Sequence, residues 1–373
     1  MIYLTHAETA YTEETELLDE ITYPQRVHWF PDTYKRVSTG LFYPPHRLAE
    51  KVLKPELLEM LRNTPSKKTA FLLAGGNEHF AGIPSNPRQS RLQYVYKPLP
   101  LTLTQVYAGR VAQSCGAVDH IVTDASACAS SMKVLMDVQT LIRFYGFTRV
   151  VVLAVEDAVS NLVLEFFGEA KACLTAKRQA EEGVIPSAFD SVNNSFFVGQ
   201  GAVFAVFESS EGVAQSGFKP LAQLKGAYTA GESCGNALGQ LETGEGFVKA
   251  ALGAMEMAGV DAKQIRLVKT HGTGTASNNR AEKAALSHLL PDGFIATSYK
   301  PTIGHTMGAS GLLEIALLVD SLRQGVVPHI RNRTETDSVF LSDPAEFSGG
   351  LMLALAAGMG NVYSASVLSM EIA

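Results

Sequence analysis

The stretch DASACASS at residues 124–131 sets a single cysteine, Cys128, among small side chains. The apolar pair Ile121-Val122 precedes it and a helical pattern follows it, so Cys128 is predicted at the turn from a strand into a helix. Backbone N–H groups and the positive end of a helix dipole at such a turn stabilise a thiolate and lower the pKa of the thiol. Small neighbours also let a substrate approach the sulfur. These features indicate a nucleophile, with a buried structural cysteine as the alternative.

A second stretch whose residues could bind a ligand or take part in catalysis begins at His271 and reads HGTGT. Its glycines let the backbone approach a polar ligand closely, and the hydroxyls of Thr273 and Thr275 can face that ligand. Taken alone, the stretch is also consistent with an ordinary turn that contains a histidine.

A third stretch, KPTIGHTMGASG, contains Lys300 and His305 and leads into an apolar helical segment that carries Glu314. A lysine and a glutamate in apolar, glycine-rich surroundings suggest a buried pair whose charges neutralise one another. The alternative is two solvated surface charges.

The elements that position these residues follow an α/β pattern, because short β-branched runs alternate with helical segments along the chain. Strands are predicted at TAFLLAGG (69–76) and RVVVLAV (149–155), and the rest of the first 95 residues has no assignment. After Cys128, apolar residues recur at steps of three or four and predict a buried helix that ends near Gly146. These residues are Met132, Leu135, Val138, Leu141 and Ile142.

Two parts of the chain are similar to one another. FVGQGAVFAVFES (197–209) and AAGMGNVYSASVLSM (356–370) each contain G-x-G followed by a strand pattern, and each half also holds a strand, a small-residue turn and a helix. This predicts an internal duplication. The polar stretch at 208–217 separates the halves, so the domains are predicted at 1–210, with the cysteine, and 211–373, with the histidines.

Composition excludes several classes of function. The 373 residues carry a net charge of −6 and contain no Lys/Arg-rich block, which argues against nucleic acid as a partner. Four scattered cysteines, with no C-x-x-C or H-E-x-x-H, predict neither a disulfide framework nor a zinc site. The apolar runs are too short to span a bilayer, so a cytoplasmic protein with no membrane partner is expected.

The order Cys, H-G-T-G-T, K-P-x-x-G-H-x-x-G-A-x-G and a late G-x-G resembles the β-ketoacyl-acyl carrier protein synthases of the thiolase superfamily, in their elongating Cys-His-His type. The resemblance runs from about residue 95 to the end. It includes the segment 101–131, which leads to Cys128 and the small residues after it, the late stretch GVVPHIRN and the spacing of Glu314 nine residues after His305. An initiating synthase would carry asparagine in place of His305, and a degradative thiolase would carry a second cysteine near the C-terminus, whereas the last one here is Cys234.

The resemblance implies a thiolase-like fold, a five-layer α/β/α/β/α sandwich of two duplicated βαβαβ halves. It also implies a decarboxylative Claisen condensation between an acyl group on Cys128 and a malonyl-acyl carrier protein, which gives a 3-oxoacyl-acyl carrier protein. His271 and His305 would donate hydrogen bonds to the malonyl thioester, and the backbone N–H groups of Cys128 and Met359 would form an oxyanion hole.

By the same resemblance, Lys300 paired with Glu314 would orient the histidine side of the pocket. Thr273 and Thr275 would bind the phosphopantetheine arm of the carrier protein, and no metal or other cofactor is implied. The expected partners are the acidic acyl carrier protein, held by a local group of Lys and Arg near the pocket mouth, and a second synthase chain in a homodimer or heterodimer.

The sequence departs from the family pattern at several positions. The usual F-D-x-x-R-x-G-F has Asn193 and Ser195 in place of arginine and glycine, G-E-G contains Gln200, and an aspartate is replaced by Asn279. Met359 stands where a gating phenylalanine is normal. Methionine is slim and flexible, so a gate that admits different acyl groups is expected. These changes suggest a branch of polyene or polyketide assembly rather than housekeeping fatty acid synthesis.

Two alternative functions use the same resemblance. One is a non-catalytic, chain-length subunit of a heterodimeric synthase, although such subunits lose the nucleophile and this chain keeps Cys128. The other is an acyltransferase or lipid thioesterase that uses Cys128 without decarboxylation.

Overall fold

The fold is described from a computed structural model that covers residues 1–11, 49–75, 104–158, 161–236, 239–291 and 293–370. Most of the unassigned N-terminal 95 residues (12–48 and 76–95) and the start of the resemblance near residue 95 lie outside the described residues. The strand predicted at 69–76 is confirmed over residues 69–74, and residue 76 lies outside the described residues.

The strands and helices of the described residues alternate as the sequence predicts. The strands are β1 (Ile2–Tyr11), β2 (Thr69–Ala74), β3 (His120–Asp124), β4 (Arg149–Asp157), β5 (Gln200–Ser209), β6 (Ala222–Gly231), β7 (Ile265–Lys269), β8 (Ile295–Thr297), β9 (Val326–Val327), β10 (Ala345–Glu346), β11 (Leu351–Gly358) and β12 (Val362–Ser369). The helices are α1 (Pro55–Asn63), α2 (Thr104–Cys115), α3 (Ser130–Tyr145), α4 (Asn161–Glu169), α5 (Ala176–Glu182), α6 (Ser210–Ser216), α7 (Glu245–Ala258), α8 (Ala276–Leu289), α9 (Lys300–Ile303) and α10 (Ser310–Arg323).

Ten strands form one sheet in the order β3-β2-β4-β5-β1-β6-β12-β11-β7-β8. A short antiparallel pairing of Ile2–Leu4 with Ala222–Leu224 joins two five-stranded halves. Counted outward from that join, the first half runs β1, β5, β4, β2, β3 and the second runs β6, β12, β11, β7, β8, with parallel pairing among the last three strands of each. The two halves therefore share one topology, as the duplication in the sequence predicts. The predicted domain boundary at 210/211 falls just after the first residue of α6, and it stays a prediction.

Three hydrophobic clusters define five layers. The largest lies between the two half-sheets and contains the buried faces of α3 and α10. On the outer side of the first half-sheet, α1 and α2 pack against β2, β4 and β5, and on the outer side of the second, α7 and α8 pack against β7, β11 and β12. The order is thus α/β/α/β/α, the predicted sandwich.

Helix α3 confirms the pattern after Cys128. Its predicted apolar residues are buried except for Ile142, which is half-buried, and the helix ends at Gly146 with φ of 69°, a left-handed conformation that glycine adopts without strain. The adjacent strand β4 is fully buried from Val150 to Val155, as predicted for the core. No helix among the described residues has the length and apolar character needed to cross a membrane.

Candidate active site

Cys128 lies on a tight turn between β3 and α3, in the predicted strand–turn–helix unit. The turn is a short 3-10 segment, Ala127–Ala129, and Ala127 has φ of 48°, which is unfavourable for a residue with a Cβ. Hydrogen bonds hold this conformation, since Ser130 Oγ donates to the Ala127 carbonyl at 2.6 Å and the Ser126 N–H donates to Asp124 Oδ1 at 3.1 Å. The strained turn fixes Cys128 at the start of the buried helix.

The second half contains the same unit without a cysteine. There the 3-10 segment is Met307–Ala309, Met307 has φ of 42°, and α10 begins at Ser310, so Gly308 occupies the place of Cys128. The two units meet, because the Leu312 N–H donates to Ser131 Oγ at 3.1 Å. The duplication therefore places Met307 against the candidate nucleophile.

The hairpin between β11 and β12 also reaches the cysteine turn. A Cβ added at Gly358 would lie 2.7 Å from the Ser126 carbonyl oxygen and 3.1 Å from the Ala129 nitrogen, so only glycine permits this approach. The next residue, Met359, lines the same cavity as Cys128. The late G-x-G of the sequence thus brings the hairpin to the site.

His271 follows β7 and is held through its backbone from two sides. Its N–H and that of Gly272 donate to Glu282 at 2.5 and 2.9 Å, while Lys300 Nζ donates to the His271 carbonyl at 2.5 Å. Asn278 Nδ2 also donates to Glu282 at 2.9 Å. The sequence analysis missed Glu282, although an acid among the apolar residues on the buried face of α8 was a signal that could have revealed it.

His305 is fixed by the G-x-G segment before β5. Its N–H donates to the Phe197 carbonyl at 2.6 Å and its carbonyl accepts from the Gly199 N–H at 2.9 Å. A Cβ at Gly199 would lie 2.8 Å from the Ile303 carbonyl oxygen, which explains the glycine. The ring Nδ1 lies 3.0 Å from Ser310 Oγ, and the two imidazoles face each other with centroids 5.7 Å apart and planes at 84°.

Lys300 and Glu314 form the buried pair rather than two surface charges. Their side chains are 1% and 0% exposed, and Nζ lies 2.9 Å from Oε1. The other carboxylate oxygen, Oε2, accepts from Lys269 Nζ at 2.5 Å. Lys269 is also fully buried and was not identified from the sequence, because its partner lies 45 residues away.

Burial controls the ionisation of the three reactive side chains. Burial, together with the positive charge of Lys300, holds the pKa of His271 and of His305 well below the usual value, so both rings are neutral at neutral pH. For Cys128, burial raises the pKa to about 12; Lys300 opposes this shift and Glu156 adds to it. The lowered thiol pKa predicted from the sequence is therefore wrong for the free protein, because desolvation outweighs the effect of the helix start.

A cavity of about 130 Å³ brings the candidate residues together. Its wall includes Cys128, His271, Thr273, Thr275, His305 and Met359, whereas Lys300 and Glu314 lie behind His271. Thr273 and Thr275 are linked through their hydroxyls at 3.1 Å. Within the described part of the chain, no three His, Cys, Asp or Glu side chains are grouped so that they could hold a metal ion.

A larger cleft of about 1200 Å³ shares Thr275 with this cavity. It runs between α4, α5 and the start of α8, and its wall carries both signs of charge. The cations are Lys171, Arg178, Arg280 and Lys283, and the anions are Glu169, Glu181, Glu182, Asp190 and Glu335. The cleft therefore adjoins the smaller cavity at Thr275.

Three of the departures from the family pattern, Asn193, Ser195 and Asn279, form hydrogen bonds at or beside that cleft, whose wall includes Ser195 and Asn279. Asn193 donates to the Asn332 carbonyl at 2.8 Å and accepts from the Ile185 N–H at 3.3 Å. Asn279 accepts from the Phe189 N–H at 3.2 Å. The Ser195 N–H donates to the Gly274 carbonyl at 2.9 Å, so these segments still support the HGTGT loop.

Comparison with known proteins gives a consistent result. The family model described as "Beta-ketoacyl synthase, N-terminal domain" matches residues 49–212, and "Beta-ketoacyl synthase, C-terminal domain" matches residues 221–334. The 3-oxoacyl-acyl-carrier-protein synthase 2 of Vibrio cholerae is 28% identical over 254 residues, which are 67% of this chain and 60% of that protein. The chain thus spans about 60% of the length of this curated relative.

Solved structures show the same fold. A type II polyketide synthase acyl carrier protein in complex with its ketosynthase includes a chain that matches with a TM-score of 0.76 and 16% identity, over 99% of this chain and 98% of that one. The ishigamide ketosynthase/chain length factor matches with a TM-score of 0.68 and 20% identity, over 82% and 76% of the two chains. The thiolase-like sandwich predicted from the sequence is confirmed.

Proposed function

Because the chain belongs to the β-ketoacyl synthase family, we propose that it condenses a Cys128-bound acyl group with a malonyl-acyl carrier protein. The observation that carries this proposal is the single cavity in which Cys128, His271 and His305 meet. Fatty acid, polyene and polyketide assembly all use this reaction, and the product is a 3-oxoacyl-acyl carrier protein.

In the first step, the Cys128 sulfur attacks the thioester of an acyl-acyl carrier protein. The acyl–sulfur bond to the phosphopantetheine arm breaks, the acyl group moves to Cys128, and the proton of the Cys128 thiol passes to the departing sulfur. Thr273 and Thr275 are proposed to hydrogen-bond the arm, because both line the cavity and Thr275 also lines the cleft. The backbone N–H groups of Cys128 and Met359 are proposed as donors to the thioester oxygen as it gains charge.

In the second step, the malonyl thioester loses carbon dioxide and its carbonyl becomes an enolate. Neutral His271 and His305 donate hydrogen bonds to that oxygen. For His305 to donate from Nε2, its Nδ1 must accept from the Ser310 hydroxyl, which lies 3.0 Å away. The enolate carbon then attacks the acyl-cysteine and forms the new carbon–carbon bond, the bond from the acyl carbon to the Cys128 sulfur breaks, and the Cys128 thiolate takes up a proton from solvent.

Intact-protein mass spectrometry tests this function. Wild type and Cys128→Ala are incubated with acyl carrier proteins that bear different acyl groups, and malonyl carrier protein is then added. Wild type alone should gain the acyl mass and then lose it, with release of carbon dioxide and a ketoacyl product that is two carbons longer. Acylation without carbon dioxide release would instead favour an acyltransferase or thioesterase.

A second candidate function is the silent, chain-length subunit of a heterodimer. The observation in its favour is the burial of Cys128, which is 6% exposed with Met307 against its sulfur. Absence of acylation, both alone and with a copurifying synthase chain, would establish this alternative. For either function we propose an acyl carrier protein and a second synthase chain as partners.

A further inference from the structure

Four charged side chains are buried behind His271, two lysines and two glutamates. Lys269 on β7 and Lys300 on α9 both contact Glu314 on α10, at 2.5 and 2.9 Å. The fourth, Glu282 on α8, accepts from N–H donors on both of its oxygens, the pattern of an ionised carboxylate. Burial raises the pKa of Glu282, and these hydrogen bonds and Lys300 oppose that shift. Each of the four is at most 1% exposed.

The two positive and two negative charges balance only when Lys269 is included. Lys300 divides its donors between Glu314 and the His271 carbonyl. Without Lys269, the Glu314 oxygen that it contacts would be a buried, unpaired acceptor, and the network would carry an excess negative charge. A buried charge without a partner is strongly unfavourable, so Glu314 would draw Lys300 away from His271 or bind a proton.

We propose that Lys269 is a positioning residue for the condensation: it holds Glu314 so that Lys300 stays on the His271 carbonyl. The positive charge of Lys269 also acts on both imidazoles. This inference rests on the proposed function, in which neutral His271 and His305 donate to the enolate.

The electrostatic part of this role follows from the surroundings of Lys269. The charged and titratable groups that act on it or feel its charge are Glu314, Lys300, Glu282, His271 and His305. Burial lowers the pKa of Lys269, while Glu314 acts in the opposite direction. Burial lowers the pKa of both histidines, and the nearby lysines, Lys269 among them, lower it further. Loss of the Lys269 charge should therefore raise the pKa of both imidazoles.

The pH profile of the Lys269→Met variant tests the inference, because methionine has a similar length and no charge. We expect the acid limb of the pH–rate profile for malonyl decarboxylation to move to higher pH by about one unit. This shift corresponds to a roughly tenfold loss of rate at pH values below the limb. Acylation of Cys128, which does not use the histidines as enolate donors, should change less. Lys269→Arg should restore much of the profile, and Lys263→Met, which removes an exposed charge at the start of β7, should leave it unchanged.

Histidine titration by nuclear magnetic resonance gives a readout that does not need turnover. In protein labelled at histidine, with signals assigned by His271→Gln and His305→Gln, both resonances should titrate at higher pH in Lys269→Met than in wild type. If Lys269→Met does not fold, Lys269→Gln, which keeps a donor toward Glu314 but no charge, replaces it. An unchanged pH limb and unchanged titrations in a folded variant would overturn the inference. Failure of wild type to condense overturns the proposed function instead, and the titration still tests the charge network.

Discussion

The Sγ atom of Cys128 lies 3.9 Å from the Sδ atom of Met307, across the contact between the equivalent turns of the two halves. Phe167, Phe196 and Met359 complete a mostly apolar surrounding for the thiol. The internal duplication is therefore responsible for the environment of the candidate nucleophile, since the second copy of the turn supplies the side chain that desolvates the cysteine of the first.

The first prediction concerns the reactivity of this thiol. With its pKa raised to about 12 by burial, Cys128 should react with iodoacetamide more slowly at pH 8 than the half-buried Cys234, and its rate should still be rising at pH 10. Timed alkylation followed by peptide mass spectrometry measures both residues in the same sample, with Cys128→Ala as the control. Faster labelling of Cys128 than of Cys234 at pH 8 would contradict the burial that the structure shows.

The second prediction concerns the acyl gate. Met359 lines the cavity on the hairpin that Gly358 anchors to the cysteine turn, so a rigid aromatic ring at 359 should narrow access to the acyl side. Met359→Phe should restrict the range of acyl groups that Cys128 accepts, with the largest losses for bulky or long ones. The comparison uses acyl-transfer profiles of parent and variant over a series of acyl carrier proteins. Identical profiles would show that residue 359 is not a gate.

The third prediction concerns Ser195, which has φ of 73° where the family pattern has glycine. The left-handed conformation costs a non-glycine residue about 1 kcal/mol, but Ser195 Oγ donates to the Ala172 carbonyl at 2.8 Å, a bond that also contributes about 1 kcal/mol. Ser195→Ala loses the bond and keeps the strain, so it should lower the free energy of unfolding by about 1 kcal/mol. Ser195→Gly removes both, and its change should be within about 0.5 kcal/mol. Denaturant unfolding measures the change in the free energy of unfolding for both variants, and equal losses of stability would refute the strain argument.

The sequence predicts local features of this site well and non-local ones poorly. Small residues around Cys128 and the apolar spacing of α3 are signals within one stretch of chain, and both led to correct elements. The thiol pKa depends on Met307 and Phe196, which come from other segments, so the local argument from the helix start gave the wrong direction. Lys269 escaped notice for the same reason, since its role depends on a glutamate on a distant helix.

The fourth prediction concerns Asp190 and acid stability. Burial acts to raise its pKa, but hydrogen bonds from the backbone N–H groups of Asn193, Thr334 and Val192 and from the Thr334 hydroxyl outweigh this and lower it to about 2. Because the folded-state pKa lies below the unfolded value near 4, the ionised carboxylate stabilises the fold above about pH 4, and this contribution is lost as the pH falls through 2. Asp190→Asn should cost about 1 to 2 kcal/mol at pH 7 and progressively less toward pH 2.

Thermal and denaturant unfolding from pH 7 down to pH 2 measures that difference. Asp261→Asn is the matched control, because the exposed Asp261 side chain caps a 3-10 turn, a role that asparagine keeps, and its ion pair with Lys263 is long, at 3.9 Å. A penalty for Asp190→Asn that stays constant across this range would show that the carboxylate does not act through its charge.

The last prediction concerns the docking of the carrier protein. The cleft beside Thr275 has exposed cations at its edge, among them Lys171 and Arg280, although Arg280 is partly engaged with Glu242 at 2.9 Å. An acidic carrier protein that delivers its arm through this cleft should contact them, so Lys171→Glu and Arg280→Glu should each raise the KM for acyl carrier protein by about tenfold at low salt, since reversal replaces attraction with repulsion.

The size of this effect should fall as ionic strength rises, because exposed charges are screened. Lys263→Glu also reverses an exposed charge, but one that precedes β7, whereas His271 follows that strand, and it should change the KM by less than about twofold. If the two cleft variants behave like Lys263→Glu, the carrier protein approaches by another route, and the 1200 Å³ cleft does not lead its arm to Thr275. If they raise the KM while acylation by a small acyl thioester without a carrier protein is unchanged, the contacts act on docking alone and Cys128 is reached from this side.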